Sequence, residues 1–204
     1  TPLITAAQHS ACRVVAKLVQ LGAEVNERDN QGNTALHYAV LNSSEKTVVI
    51  LSMSGADVNI QNSDGQTEIH LLAFSHDNNL AKHVCHSKNS IDMNMKDHDG
   101  LTPFMAAVMK DNKKLITFGQ DTHINLVDDS DHSALALAIS HGYEVAVEIL
   151  LLQEADIKQI DNSGNSMLHI ACAGPSIHIA RHMLELFTDL NTQNLAGETP
   201  LHLA

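Results

Sequence analysis

Val14, Val15, Leu18 and Val19 are spaced three and four apart, the interval that lines apolar side chains along one face of a helix. The run stops at Gly22, a residue suited to the end of a helix. Ala23-Glu24-Val25-Asn26 then leads into Asp29-Asn30-Gln31-Gly32, a turn in which glycine takes positive φ. A second kind of helix follows, Thr34-Ala35-Leu36-His37-Tyr38-Ala39, whose Thr can cap the free N–H groups of the first turn. The pattern predicts helix, turn, helix and then an extended, hairpin-like loop.

The same order recurs along the whole chain. A Thr or Ser opening an apolar helix stands at Thr1, Thr34, Thr67, Thr102, Ser133, Ser166 and Thr199, at intervals of 33, 33, 35, 31, 33 and 33 residues. Two residues before most of them lies a glycine (Gly32, Gly65, Gly100, Gly164, Gly197), with Asp131 as the exception. Asn26, Asn59, Asn94, Asn125 and Asn191 keep the same phase, with Lys158 in the sixth place. Pro2, Pro103 and Pro200 fall at the first helical position, where a missing N–H costs nothing. Three markers in one phase make this a repeat array, in which no unit can bury its apolar face alone.

Thr199-Pro200-Leu201-His202-Leu203-Ala204 matches the Thr-Pro-Leu-His-x-Ala signature of ankyrin repeats, which also have a 33-residue period. Thr34 to Ala39 and Ser166 to Ala171 are close variants, and Gly55-Ala56-Asp57-Val58-Asn59 looks like the family's passage from second helix to hairpin. The chain therefore resembles the ankyrin-repeat family from end to end. The resemblance implies an all-α solenoid of stacked helix-turn-helix units joined by β-hairpin-like loops, curved with a concave face. The units run approximately 1–28, 29–61, 62–96, 97–127, 128–160 and 161–193, with a partial seventh at 194–204.

Two units depart from the rule. In the third, the second helix reads Leu80, Ala81, Val84, Cys85, and two extra residues fall between His86 and Ile91. In the fourth, Leu115 and Ile116 hold core positions, but Gly119 and Gln120 replace the expected leucines one turn later. A lost large aliphatic side chain costs roughly 2–5 kcal/mol. Lys110 to Asn125 is therefore expected to be the least stable stretch. Drift in a tolerant array and a partner-specific hinge or bulge both remain open as its origin.

Composition narrows the function. Of 204 residues, 44% are hydrophobic and only 3% aromatic, so aliphatic side chains fill the interior. The formal net charge of −12 argues against nucleic acid and anionic membrane, which are themselves negative. No apolar stretch is long enough to span a bilayer, and no leader opens the segment. Cys12, Cys85 and Cys172 form no disulfide framework, which suits a reducing compartment. The expected location is intracellular, cytoplasmic or nuclear. The first unit lacks a polar cap and the last stops in mid-motif, as expected of a segment of a larger protein.

The fourteen histidines raise the question of metal or catalysis. His37, His70, His169 and His202 occupy the motif position, where the resemblance implies a hydrogen bond between neighbouring repeats. His178 and His182 are one helical turn apart but lack the glutamate of a zinc-protease motif. His83, Cys85 and His86 cluster beside the insertion, where Cys85 reads as a core residue. No catalytic, cofactor or metal constellation stands out, and an enzyme is not expected. The resemblance also raises hydroxylation of Asn26, Asn59 and Asn94, although a bond from the side chain to the hairpin backbone is the expected main role.

The surface that the resemblance assigns to partners is made of hairpin tips and inner ends of first helices. Its candidate residues are Asn30, Gln31, Asn33, Asp64, Gln66, Asp99, Leu101, Asp129 and His132 on the tips, and Leu41, Phe74, Met109 and His141 on the helix ends. Leu41, Phe74 and Met109 form either an apolar contact core or packing against the next helix pair. Asp64, Asp99 and Asp129 either steer a basic segment or make an ordinary solvated face. The expectation is a scaffold or adaptor segment that binds a protein partner, with a basic or extended segment as the candidate chemistry. The alternatives are an inhibitor masking a transcription factor, and the regulatory region of an enzyme or ion channel.

Overall fold

The computed structural model describes residues 1–75, 80, 91–118 and 123–204. Residues 76–79, 81–90 and 119–122 fall outside this set, and with them the readings of His83, Cys85, His86, Gly119 and Gln120. Contacts divide the chain into two compact units, Thr1–His98 and Asp99–Ala204.

The first unit holds α1 (Pro2–Gln8), α2 (Cys12–Gln20), α3 (Ala35–Leu41), α4 (Glu45–Met53) and α5 (Glu68–Phe74). The second holds α6 (Pro103–Met109), α7 (Lys113–Phe118), α8 (Ala134–His141), α9 (Glu144–Leu152), α10 (Met167–Ala173), α11 (Ile177–Leu186) and a 3₁₀ turn at Pro200–His202. Within each unit the packing advances with the sequence. First helix packs on the next first helix (α1 on α3, α3 on α5, α6 on α8, α8 on α10), and second helix on second helix (α2 on α4, α7 on α9, α9 on α11).

This stacking explains the two compositions. First helices lie between neighbours and are almost wholly buried, as in α8, where every residue from Ala134 to Ile139 is inside. Second helices keep an outer face: α4 buries only Thr47, Val48 and Leu51, and α9 only Ala146, Val147 and Leu150. Leu36, Leu51, Ile69 and Leu72 fill the first core; Met105, Leu115, Leu135, Ile139, Leu150 and Met167 fill the second. Each such side chain contributes about 1.5–3 kcal/mol when fully removed from water. Leu115 and Ile116 are fully buried, so the fourth unit keeps the front half of its second-helix core.

The polar signals act as the sequence suggests. Thr34 Oγ1 accepts from the His37 amide at 3.3 Å, Thr102 Oγ1 from Met105 at 3.2 Å and Ser133 Oγ from Ala136 at 3.4 Å. After α2 and α4, Gly22 and Gly55 take φ of 85° and 87°, and the Ala23 and Ala56 amides donate back to Leu18 and Leu51. Among the described residues the hairpins carry only isolated bridges, Val127 with Ser133 and Ile160 with Ser166.

Candidate functional site

Five hairpin tips are each built on one Asx side chain. Asp29 Oδ1 accepts from the Gln31 and Asn33 amides at 2.9 and 3.0 Å, and Asn62 Oδ1 from Asp64 and Gln66 at 3.0 and 2.9 Å. Asp128, Asp161 and Asn194 repeat the arrangement. Burial pushes the Asp29 carboxyl upward. The Tyr38 hydroxyl, donating at 2.6 Å, and the Asn33 and Gln31 amides outweigh it, so the group lies below the usual carboxylate range.

A second set of bonds ties each repeat to the next. His37 Nδ1 accepts the Thr34 amide at 3.1 Å, which leaves Nε2 as the donor to the Gln66 carbonyl at 3.2 Å. His169 makes the same pair of bonds, to the Ser166 amide at 3.2 Å and to the Glu198 carbonyl at 3.0 Å. These motif histidines are structural clamps, with both ring nitrogens occupied. The hairpin asparagines also reach across. Asn26 Oδ1 accepts from the Asp57 amide at 2.9 Å, Asn59 Oδ1 from Asp92 at 2.9 Å and Asn125 Oδ1 from Asp156 at 2.8 Å. The bond to hairpin backbone expected from the sequence is thus made to the following hairpin, not to their own.

The tips present Asn30, Gln31, Asp64, Asp99 and Asp129 to solvent, with Gln66, Leu101 and His132 half-buried. Asn33 turns inward, 7% exposed, where its Oδ1 accepts from Asn62 Nδ2 at 3.2 Å. Little of that side chain remains for a partner.

The inner helix ends sort differently. Leu41 and Phe74 are 55% and 45% exposed although the rest of α3 and α5 is largely buried. Because α3 packs on α5, both apolar side chains sit at neighbouring helix ends of the first unit. In the second unit Met109 is half-buried and His141 exposed. The His141 ring stacks on Tyr143 with centroids 5.5 Å apart, and Tyr143 donates to the Met109 carbonyl at 3.3 Å. The sequence reading passed over Tyr143, whose only signal is an aromatic ring in the turn after α8.

Two further features bear on chemistry. His178 and His182 are both exposed on α11. An open apolar cleft of about 630 Å³ lies between α10, α11 and the Pro200–His202 turn, where the sequence led to no pocket of note. Leu168, Cys172, Ile177, Leu184, Leu190 and Leu201 line it, and no carboxylate, imidazole or amine side chain is among its lining residues. Burial pushes the Cys172 thiol up, away from the nucleophilic thiolate.

Comparison with known proteins agrees with this geometry. Mouse NF-kappa-B inhibitor delta is 29% identical over 235 aligned residues, covering 100% of this chain and 62% of that protein. Neurogenic locus notch homolog protein 1 of Xenopus tropicalis is 32% identical over 120 residues, covering 57% of this chain and 5% of its own length. The chain thus spans less than two thirds of both relatives. The crystal structure of the ankyrin repeat domain of Bcl-3, described as a unique member of the IkappaB protein family, superposes with a TM-score of 0.86 at 27% identity, over 100% of this chain and 93% of that one. A family model described as ankyrin repeats (3 copies) matches residues 1–62 and 69–161. With helix pairs, capped first turns and clamping histidines recurring in one phase, the chain belongs to the ankyrin-repeat family, a family of protein–protein interaction modules.

Proposed function

We propose that the chain is the partner-binding segment of a scaffold or adaptor, and that it acts by docking a protein and not by catalysis. The observation that carries this reading is the exposure of Leu41 and Phe74 on two packed, otherwise buried helices. An exposed apolar pair held by rigid neighbours loses little entropy on binding, as suits the centre of an interface. Asn30, Gln31, Asp64 and Gln66, on the hairpin tips of the same unit, are the polar residues assigned to that interface. Met109, His141, Asp99, Leu101, Asp129 and His132 offer a second, more acidic patch in the second unit, suited to a basic or extended segment. The clamping histidines have no free nitrogen for chemistry, which supports the non-enzymatic reading. An intracellular setting fits the unpaired Cys12 and Cys172.

A second reading rests on the relative matched along this entire chain, whose name makes it an inhibitor of NF-kappa-B. On that reading the same surfaces mask a transcription factor. Titration of purified NF-kappa-B into the native chain and into a Leu41→Asp, Phe74→Asp double variant tests both readings. Masking predicts binding that the double variant weakens about thirtyfold, the scale of a lost hot-spot pair. No binding by the native chain removes the masking reading. The broader reading then stands on affinity capture from cells, where proteins held equally by both forms would defeat the role of Leu41 and Phe74.

A further inference from the structure

At successive hairpin tips the glycine faces the backbone of the next tip. A β-carbon on Gly32 would stand 2.9 Å from the Ser63 nitrogen, on Gly65 2.9 Å from the His98 nitrogen, on Gly100 2.6 Å from the Asp129 nitrogen and on Gly164 3.0 Å from the Leu195 nitrogen. Only a residue without a side chain permits such an approach. At three of these four tips the closeness is used for bonding. The Ser63 amide donates to the Gln31 carbonyl at 2.8 Å, the His98 amide to Asp64 at 3.1 Å and the Leu195 amide to Ser163 at 3.0 Å.

The tip at Asp128–His132 breaks the rule. Asp131 stands where the others have glycine, and its backbone keeps the left-handed turn, with φ of 61°. At the four glycine tips a β-carbon would stand in the space that the following tip enters, and Asp131 carries one. The equivalent donor and acceptor, the Asn162 amide and the Ser130 carbonyl, make no hydrogen bond to one another or to any other backbone group. The side-chain link across the same gap is also long. Asn62 Nδ2 meets Asn33 Oδ1 at 3.2 Å and Asn194 Nδ2 meets Asn165 Oδ1 at 2.9 Å, but His132 Nε2 stands 3.8 Å from Asp161 Oδ2. The base of the same two hairpins is tied nonetheless. Asn125 Oδ1 accepts from the Asp156 amide at 2.8 Å, and Gln159 Nε2 donates to the Asn125 carbonyl at 2.8 Å.

We propose that the tips Asp128–His132 and Asp161–Asn165 form a parting joint within the second unit. Their bases stay tied while the tips separate, so the gap between Ser130 and Asn162 opens without disturbing α8 and α10 beneath. The Asp161–Asn165 tip can then take up a different spacing from the Asp128–His132 tip while the neighbouring joint, closed by the Leu195–Ser163 bond, holds its own. The cause is the Asp131 β-carbon, not its charge.

Amide hydrogen exchange of the full chain tests this residue by residue. After correction for intrinsic rates, the Asn162 amide exchanges at least about fivefold faster than those of Ser63, His98 and Leu195, the factor expected for one missing hydrogen bond. Asp131→Gly lets the tips close and slows Asn162 by about the same factor. Asp131→Ala, which removes the carboxylate but keeps the β-carbon, leaves Asn162 fast. The Ser63 and His98 amides report in the same spectra that each variant is folded. An Asn162 amide as protected as Leu195 in the native chain overturns the proposal. So does one that Asp131→Gly leaves fast, or that Asp131→Ala slows.

Discussion

Asp29 concentrates the logic of the tips in one carboxylate. It accepts two amides of its own turn and the Tyr38 hydroxyl, and these hold it ionised against the pull of burial. A carboxyl lowered on folding contributes stability that is complete above its unfolded value and is lost as pH falls through the folded one. Melting temperature should therefore drop on acidification from about pH 5 to about pH 3, and Tyr38→Phe should flatten that dependence. Equal slopes in the two proteins would remove Tyr38 from the account. The turn itself was legible from Asp29-Asn30-Gln31-Gly32, but the reach of Tyr38 nine residues back was not, because helix periodicity says nothing of what a phenol touches at its tip. Glu68 was hidden for a similar reason. It stands at the first position of α5, where Pro103 opens α6, and is fully buried with Oε1 3.1 Å from Thr34 Oγ1 and Oε2 without a hydrogen-bond partner. Nothing in the local pattern marks a buried acid at a helix start.

At the scale of the element, the structure shows how far one backbone solution is reused with different residues. The turn from first to second helix takes a left-handed residue at Ser10, Ser43, Asp111 and Gly142, with φ of 52°, 49°, 48° and 74°. In each case the next amide donates five residues back, as from Ala11 to Ala6 and from Tyr143 to Ala138. Only Gly142 advertises the conformation. The end of the second helix behaves likewise: Glu154, with φ of 60°, does what Gly22 and Gly55 do. Left-handed backbone costs a residue with a β-carbon about 1–2 kcal/mol, partly offset by the extra freedom glycine has when unfolded. Glu154→Gly should accordingly raise unfolding stability by roughly 0.5–1 kcal/mol in denaturant titrations. A fall in stability would show that the Glu154 side chain makes a contribution the backbone argument misses. The helices were thus readable from spacing and caps. The bonds between repeats were not, because Asn26 with Asp57 and His37 with Gln66 are partners about one repeat apart, joined only once the helices have stacked.

Across the molecule, two compact units each carry the same division of labour. Polar side chains of fixed phase tie repeat to repeat and are spent on structure, as with the histidines of the motif, Asn33 and the hairpin asparagines. Leu41 and Phe74, by contrast, stay exposed at the ends of otherwise buried helices. That is the physical case for the docking surface proposed above. Among the described residues no helix is long and apolar enough to cross a membrane. The most direct measurement is a hydrogen-exchange footprint of the chain with a bound partner, NF-kappa-B or a captured protein, against the chain alone. The account predicts new protection at the ends of α3 and α5 and at the tips bearing Asn30, Gln31, Asp64 and Gln66. Protection confined to the outer faces of the second helices, around Leu21, Met53 and Leu152, would contradict it.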